Sequence, residues 1–149
     1  MKNSKSLQIV RGAKCELSKR EFYSFCQTLA PDFYKSDRTY LKDLCTEIED
    51  FVSGPDDVLV VNAPPRHGKS RTVTLLCDWL FGKDAKRKIM IGSYNETLSE
   101  TFSRDVRNLI DVKVFDGVGI VYSDIFPQVK IKRGDGAVTR WSLEGQHHT

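Results

Sequence analysis

Residues 58–80, VLVVNAPPRHGKSRTVTLLCDWL, demand an abrupt change of backbone state within one short stretch. Val58 to Val61 is a continuous, mostly β-branched apolar run, the pattern of a strand covered on both faces in a parallel sheet. Pro64 and Pro65 end it, since proline lacks the N–H that a ladder needs. Gly68, Lys69 and Ser70 follow. Apolar residues then recur at helical spacing through Val73, Leu76 and Leu80, which predicts a helix over 69–81 with Gly82 as its C-terminal cap. A chain that turns this sharply, with a lysine at the corner and a helix start behind it, has the makings of an anion seat.

The phosphate-binding loop pattern is G-x-x-x-x-G-K-[ST] between a strand and a helix. Residues 63–70, APPRHGKS, satisfy seven of its eight positions, with Ala63 in place of the first glycine. Alanine would be strained there if the position required a positive φ. The two prolines donate no N–H, so the cradle falls to the amides of Arg66 to Ser70 and the positive end of the helix. In this reading Gly68 allows close approach of a phosphate and Lys69 reaches the β- and γ-phosphates. The Ser70 hydroxyl holds Mg²⁺, and Arg66 stabilises developing charge on the γ-phosphate. The nucleotide-binding set is Pro65, Arg66, His67, Gly68, Lys69, Ser70 and Arg71, with Lys69 and Arg66 as the catalytic members and ATP with Mg²⁺ as the cofactors. His67 is read as a loop side chain, neither base nor metal ligand. The plainer alternative is a strand–turn–helix that contains GKS by chance.

Helices are expected on both sides of this corner. Ser18 and Glu21 form a capping-box pattern ahead of Phe22, Phe25, Cys26 and Leu29, which predicts a helix over 18–29 closed by Pro31. A second helix over 37–53 carries Leu41, Leu44, Cys45, Ile48, Phe51 and Val52 on one face and stops at Gly54-Pro55. Ile89-Met90-Ile91 reads as a second buried strand. Thr97 and Glu100 give a capping box for a helix with Leu98, Phe102, Val106, Leu109 and Ile110 along one stripe. Strand, helix, strand, helix implies a parallel α/β sheet with right-handed crossovers. Residues 129–143, around Gly134-Asp135-Gly136, alternate as a β-hairpin would.

Composition narrows the partners little. A net charge of +3 over 149 residues does not by itself imply nucleic acid. No apolar run approaches the roughly 20 residues needed to span a membrane, and the N-terminus has no signal-peptide core. In a reducing compartment Cys15, Cys26, Cys45 and Cys77 are expected as thiols. Their spacing fits no metal pattern, and Cys26, Cys45 and Cys77 fall on apolar helical stripes.

PPRHGKS after an apolar strand resembles the ATPase of the large terminase subunit, the DNA-packaging motor of tailed bacteriophages. FCQTLAPDFY, LFGKDAKRKIMIGSYNETLSETFSRDVRNLI, VYSDIFP and RWSLEG resemble the same family in the same order, from about residue 20 onward. The resemblance implies a P-loop NTPase of the α/β class: a partial parallel sheet with flanking helices, an N-terminal helical segment and a C-terminal β-hairpin. In these terms residues 1–54 are a helical lead-in and 55–149 the strand, P-loop and helix core, ending before the family's second, acidic motif. The implied function is ATP-driven translocation of duplex DNA into a procapsid, in the host cytoplasm at the portal. Double-stranded DNA, the portal protein, a small terminase subunit and further copies of the chain are the implied partners, with no membrane. No apolar run followed by paired acids lies downstream of the loop, and Asp56-Asp57 lies upstream of it, so turnover by these residues alone is expected to be very low. Two rival readings stay open: another P-loop DNA motor of helicase type, and a non-catalytic truncated or split-gene fragment that acts by association.

Three further places have weaker chemistry. Ser93-Tyr94-Asn95 would sit beyond the second strand, placed to touch nucleotide or relay its state to DNA, but helix capping by Asn95 or Thr97 is the favoured reading, since capping chemistry alone explains these residues. Arg104 and Arg107 would meet phosphates, or merely lie on a solvated face. Lys86-Arg87-Lys88 and Lys130, Lys132 and Arg133 are local basic clusters compatible with DNA or with simple solubility.

Overall fold

The computed structural model describes residues 2–113, 119–134 and 140–146. Among them are six helices: α1 (Lys2–Arg20), α2 (Phe22–Leu29), α3 (Thr39–Ser53), α4 (Lys69–Lys83), α5 (Glu96–Asp111) and α6 (Tyr122–Ile125). The chain divides into two compact units, residues 1–72 and 73–149. The division falls within α4. Among the described residues no helix is long and apolar enough to cross a membrane.

In the first unit α1 packs on α2, and α2 on α3. Phe22, Phe25 and Cys26 of α2 are buried, as are Leu41, Cys45 and Ile48 of α3, the positions marked by the apolar stripes. The Cys26 and Cys45 sulfurs lie 4.0 Å apart in this core. All four cysteines are buried free thiols. Ser18, however, caps nothing. It lies inside α1, fully buried, and its Oγ is 3.3 Å from the Ser24 carbonyl oxygen and 2.9 Å from Thr28 Oγ1, within hydrogen-bond reach of both. The chain breaks instead at Glu21, which is extended at φ −115°, ψ 125°. The opening of α2 is satisfied from α3: the Phe22 amide donates to Glu49 Oε2 at 2.9 Å. A carboxylate at a helix N-terminus satisfies one of the orphan amides there and complements the dipole.

The core of the second unit contains Leu75, Trp79 and Phe81 of α4, Val106 and Ile110 of α5, and Tyr122, Ile125 and Phe126 in and beside α6. Gly82 does not cap α4, which continues to Lys83. A Cβ at Gly82 would lie 2.3 Å from two carbons of the Phe126 ring, so glycine is there to let that ring approach the helix. The Tyr122 hydroxyl donates to the Asp78 carbonyl at 2.8 Å. Asp78 itself is fully buried, and neither carboxylate oxygen has a hydrogen-bond partner among the described residues. Burial therefore holds its carboxyl well above the usual range.

The expected α/β architecture is not what forms: no strand and no sheet occur among the described residues. Residues 58–61 and 89–91 are irregular; the apolar side chains of 58–61 face solvent, Val60 being 83% exposed, and in the second run Met90 is 96% exposed while Ile89 and Ile91 are half-buried. A β-branched run expresses a preference for a pleated, covered surface, but only pairing realises it. Neither run has a ladder partner among the described residues, so neither is a strand. The hairpin expected over 129–143 reduces to a single antiparallel bridge, Ile131 with Leu143. Lys132 N–H to the Ser142 carbonyl and Glu144 N–H to the Lys130 carbonyl, both 2.9 Å, are its hydrogen bonds. Asp135 and Gly136 of the expected turn lie outside the described residues.

Candidate phosphate-binding loop

Residues 63–72 belong to the first unit, and α4 starts at Lys69, where the motif requires a helix to start. The Thr72 amide donates to the Gly68 carbonyl at 2.8 Å, closing the first turn. Helix geometry leaves the amides ahead of that bond without intrahelical acceptors, so they and the positive end of the dipole are available to an anion.

The loop backbone is turned by two residues in the left-handed region, Arg66 at φ +63° and Gly68 at φ +86°. Ala63 is not among the positive-φ residues, so its methyl group brings no strain and the missing first glycine has no conformational cost here. The cost has moved to Arg66. A non-glycine residue held in this region stores roughly 1–3 kcal/mol, and such positions cluster at ligand clamps.

Pro65, Arg66, His67, Gly68, Lys69, Ser70 and Arg71 all line one cavity of about 380 Å³, together with Pro64 and Phe33. That volume lies within the usual range for small-molecule sites. Arg66, His67, Ser70 and Arg71 are exposed, while Gly68 and Lys69 are half-buried. The Lys69 ammonium is folded back onto the loop. It donates to the Ala63 carbonyl and, at 3.0 Å, to the Pro64 carbonyl. An ammonium has three N–H donors, so two of them satisfy loop carbonyls in this state, and contact with a phosphate requires the side chain to swing outward. His67 Nδ1 lies 2.9 Å from the Pro65 carbonyl, and its ring lies 5.8 Å from that of Tyr40. Both contacts suit a loop-shaping side chain.

For Mg²⁺, the loop offers the exposed Ser70 hydroxyl. This ion keeps several waters and takes few protein ligands beside substrate phosphates, so a single hydroxyl at this position fits it. Among the described residues no group of three His, Cys, Asp or Glu side chains converges to hold a metal by protein ligands alone. Asp56 and Asp57 are exposed between the end of α3 and the irregular run.

The sequence reading missed the support beneath the loop. Asp32, Phe33 and Tyr34 lie in the turn after α2, and each meets a residue around the start of α4. Asp32 Oδ1 is 3.8 Å from an Arg71 nitrogen, an exposed pair of small energetic weight. A Cβ on Gly68 would sit 2.7 Å from Phe33 Cε1. The Tyr34 hydroxyl is 2.8 Å from Thr72 Oγ1 in a buried contact. Burial, above all, pushes the Tyr34 phenol above its ordinary value, so it keeps its proton. The available signal was Pro31 followed by two aromatic residues beyond a predicted helix stop.

The remaining candidates lie in the second unit. Asn95 takes the N-cap position of α5 with no side-chain capping bond; its carbonyl accepts from the Leu98 and Ser99 amides, both at 3.2 Å. Thr97 and Glu100 are both inside α5, so no capping box forms. Tyr94 is 95% exposed. Arg104 is exposed and Arg107 half-buried on α5, and Lys86, Arg87, Lys88, Lys130, Lys132 and Arg133 are exposed. A second cavity, of about 260 Å³, is lined in part by Phe81, Met90, Glu100 and Trp141 and contains no phosphate-binding pattern. No family model, no curated protein and no solved structure matches this chain.

Proposed function

We propose that residues 65–71 bind the triphosphate of ATP with Mg²⁺, and that the chain is the ATP-binding part of a viral DNA-packaging motor of the large-terminase-subunit kind. Complete, such a motor couples ATP hydrolysis to movement of duplex DNA into a procapsid, with the portal, a small terminase subunit and further copies of itself as partners. The reading rests on the loop and the helix that follows it; the strand that the pattern expects ahead of the loop does not form among the described residues. One observation carries it: seven successive residues of a phosphate-loop pattern line a single cavity at the start of a fifteen-residue helix.

In this proposal the amides of Arg66 to Ser70 surround the phosphates. Lys69 leaves the Ala63 and Pro64 carbonyls to neutralise the β- and γ-phosphates, and Ser70 contributes its hydroxyl to Mg²⁺, which supplies charge neutralisation when bound. Arg66, exposed on a strained backbone, reaches toward the γ-phosphate. Binding is the property assigned to these residues.

The test is equilibrium titration of the 149-residue chain with Mg-ATP, wild type against Lys69→Ala. Removing a charge-assisted donor worth about 1.5–3 kcal/mol weakens affinity about ten- to a hundredfold. Equal affinity in the two proteins removes Lys69 from its role and the nucleotide assignment with it.

A further inference from the structure

We infer that Phe33 is the positioning residue of the phosphate loop. Its ring is the floor on which Gly68 rests, and it fixes the direction of the Arg71 guanidinium. The binding consequence rests on the nucleotide reading above; the positioning itself does not.

Phe33 is half-buried in the turn between α2 and α3, where its amide donates to the Ala30 carbonyl at 3.0 Å. Its ring edge faces the loop: a Cβ added to Gly68 would meet Phe33 Cε1 at 2.7 Å and Cζ at 2.8 Å. Real Cβ atoms do not come that close to a carbon, so ring and glycine fit each other. Gly68 is therefore required twice, once by its positive φ and once by this ring. The same ring carries two guanidinium groups, Arg38 at 4.9 Å and Arg71 at 5.0 Å from its centroid. Arg38 also donates to the Phe33 carbonyl at 3.3 Å, which ties the backbone of the turn to the start of α3. On either side, Asp32 pairs with Arg71 and Tyr34 with Thr72. Three consecutive residues thus engage positions 68, 71 and 72, with the aromatic one at the centre.

A loop whose amides must converge on an anion loses affinity when its geometry is free to vary, because ordering it then opposes binding. The ring removes that freedom before any ligand arrives. It also holds Arg71 beside the cavity by cation–π attraction, alongside the exposed Asp32 pair.

The test uses the whole 149-residue chain and backbone amide hydrogen exchange, with wild type compared against Phe33→Leu and Phe33→Ala. Thermal melts identify which variants are folded, and Phe33→Leu keeps apolar bulk in case Phe33→Ala does not fold. The expected result is exchange of the Thr72 amide, which donates to the Gly68 carbonyl, faster by about fivefold, the size set by losing the exposed cation–π contact with Arg71. Amides of α5 should stay within twofold of wild type, which a general loss of stability would not allow. Mg-ATP affinity should fall by a similar factor in the folded variants. Exchange of the Thr72 amide within twofold of wild type in a folded variant, or acceleration spread equally over both units, overturns the inference. Insensitivity of Mg-ATP affinity to Lys69→Ala overturns the nucleotide reading instead, and the exchange result still decides the role of Phe33.

Discussion

Gly68→Ala is expected to be among the most damaging single changes in the loop, and its cost has two separable parts. The residue has φ +86°, a region that disfavours a Cβ by about 1–2 kcal/mol. The added carbon would also lie 2.7 and 2.8 Å from two carbons of Phe33 and 3.3 Å from Leu41 Cδ2, and overpacking of this kind costs about 1–3 kcal/mol. Together they come to about 2–5 kcal/mol, a large fraction of the stability of a typical domain. Urea unfolding followed by circular dichroism reads the loss. Repeating the substitution in a Phe33→Ala background separates the parts. The ring contact is then gone, so alanine at 68 should cost only the backbone share, about 1–2 kcal/mol. A loss below about 0.5 kcal/mol in the wild-type background, or the same loss in both backgrounds, would refute the claim that this glycine is fitted to that ring.

Two further outcomes follow from buried or bridging carboxylates. Asp78 has its carboxyl raised by burial, so the folded chain keeps a proton that the unfolded chain releases above its ordinary value of 3.8. Its favourable contribution is therefore complete below that pH and declines as pH rises from there toward the folded value, by about 1.4 kcal/mol per unit. Asp78→Asn should flatten this decline and stabilise the protein near neutral pH; urea melts between pH 4 and 7 that show a larger loss at pH 7 than at pH 4 would contradict it. Glu49→Ala removes the acceptor for the Phe22 amide and should cost about 1 kcal/mol in thermal melts, with most of it restored by Glu49→Gln; an unchanged melting temperature would show that this bond has no net weight.

The helical half of the fold was legible where apolar residues repeat on one face. Leu41, Cys45 and Ile48 mark α3, and Val106 and Ile110 mark α5; all five are buried. The segment Lys2–Arg20 gave no such signal, because Leu7, Ile9, Val10 and Leu17 are exposed, while Cys15 and Ser18 are buried. Ser18 looked like a cap because hydroxyls favour helix starts, whereas this one is used inside a helix to bond Thr28. Gly82 looked like a stop because glycine usually is one, whereas tertiary contact with Phe126 set it. The sheet was misread for a different reason. A run such as Val58–Val61 reports what a strand would need, not whether a partner strand lies beside it. The loop was legible from local pattern, as motif and helix start coincide at Lys69. Its support at Asp32, Phe33 and Tyr34 was not, since contacts across more than thirty residues leave no periodic trace.

The most direct test of the anion seat is a ¹H–¹⁵N titration of the labelled 149-residue chain with Mg-ATP. The amides of Gly68, Lys69 and Ser70 should show the largest shifts, saturating together, and these shifts should be lost in Lys69→Ala. Saturation with no movement across 66–71, or shifts of equal size in Lys69→Ala, would contradict a phosphate seat at the start of α4.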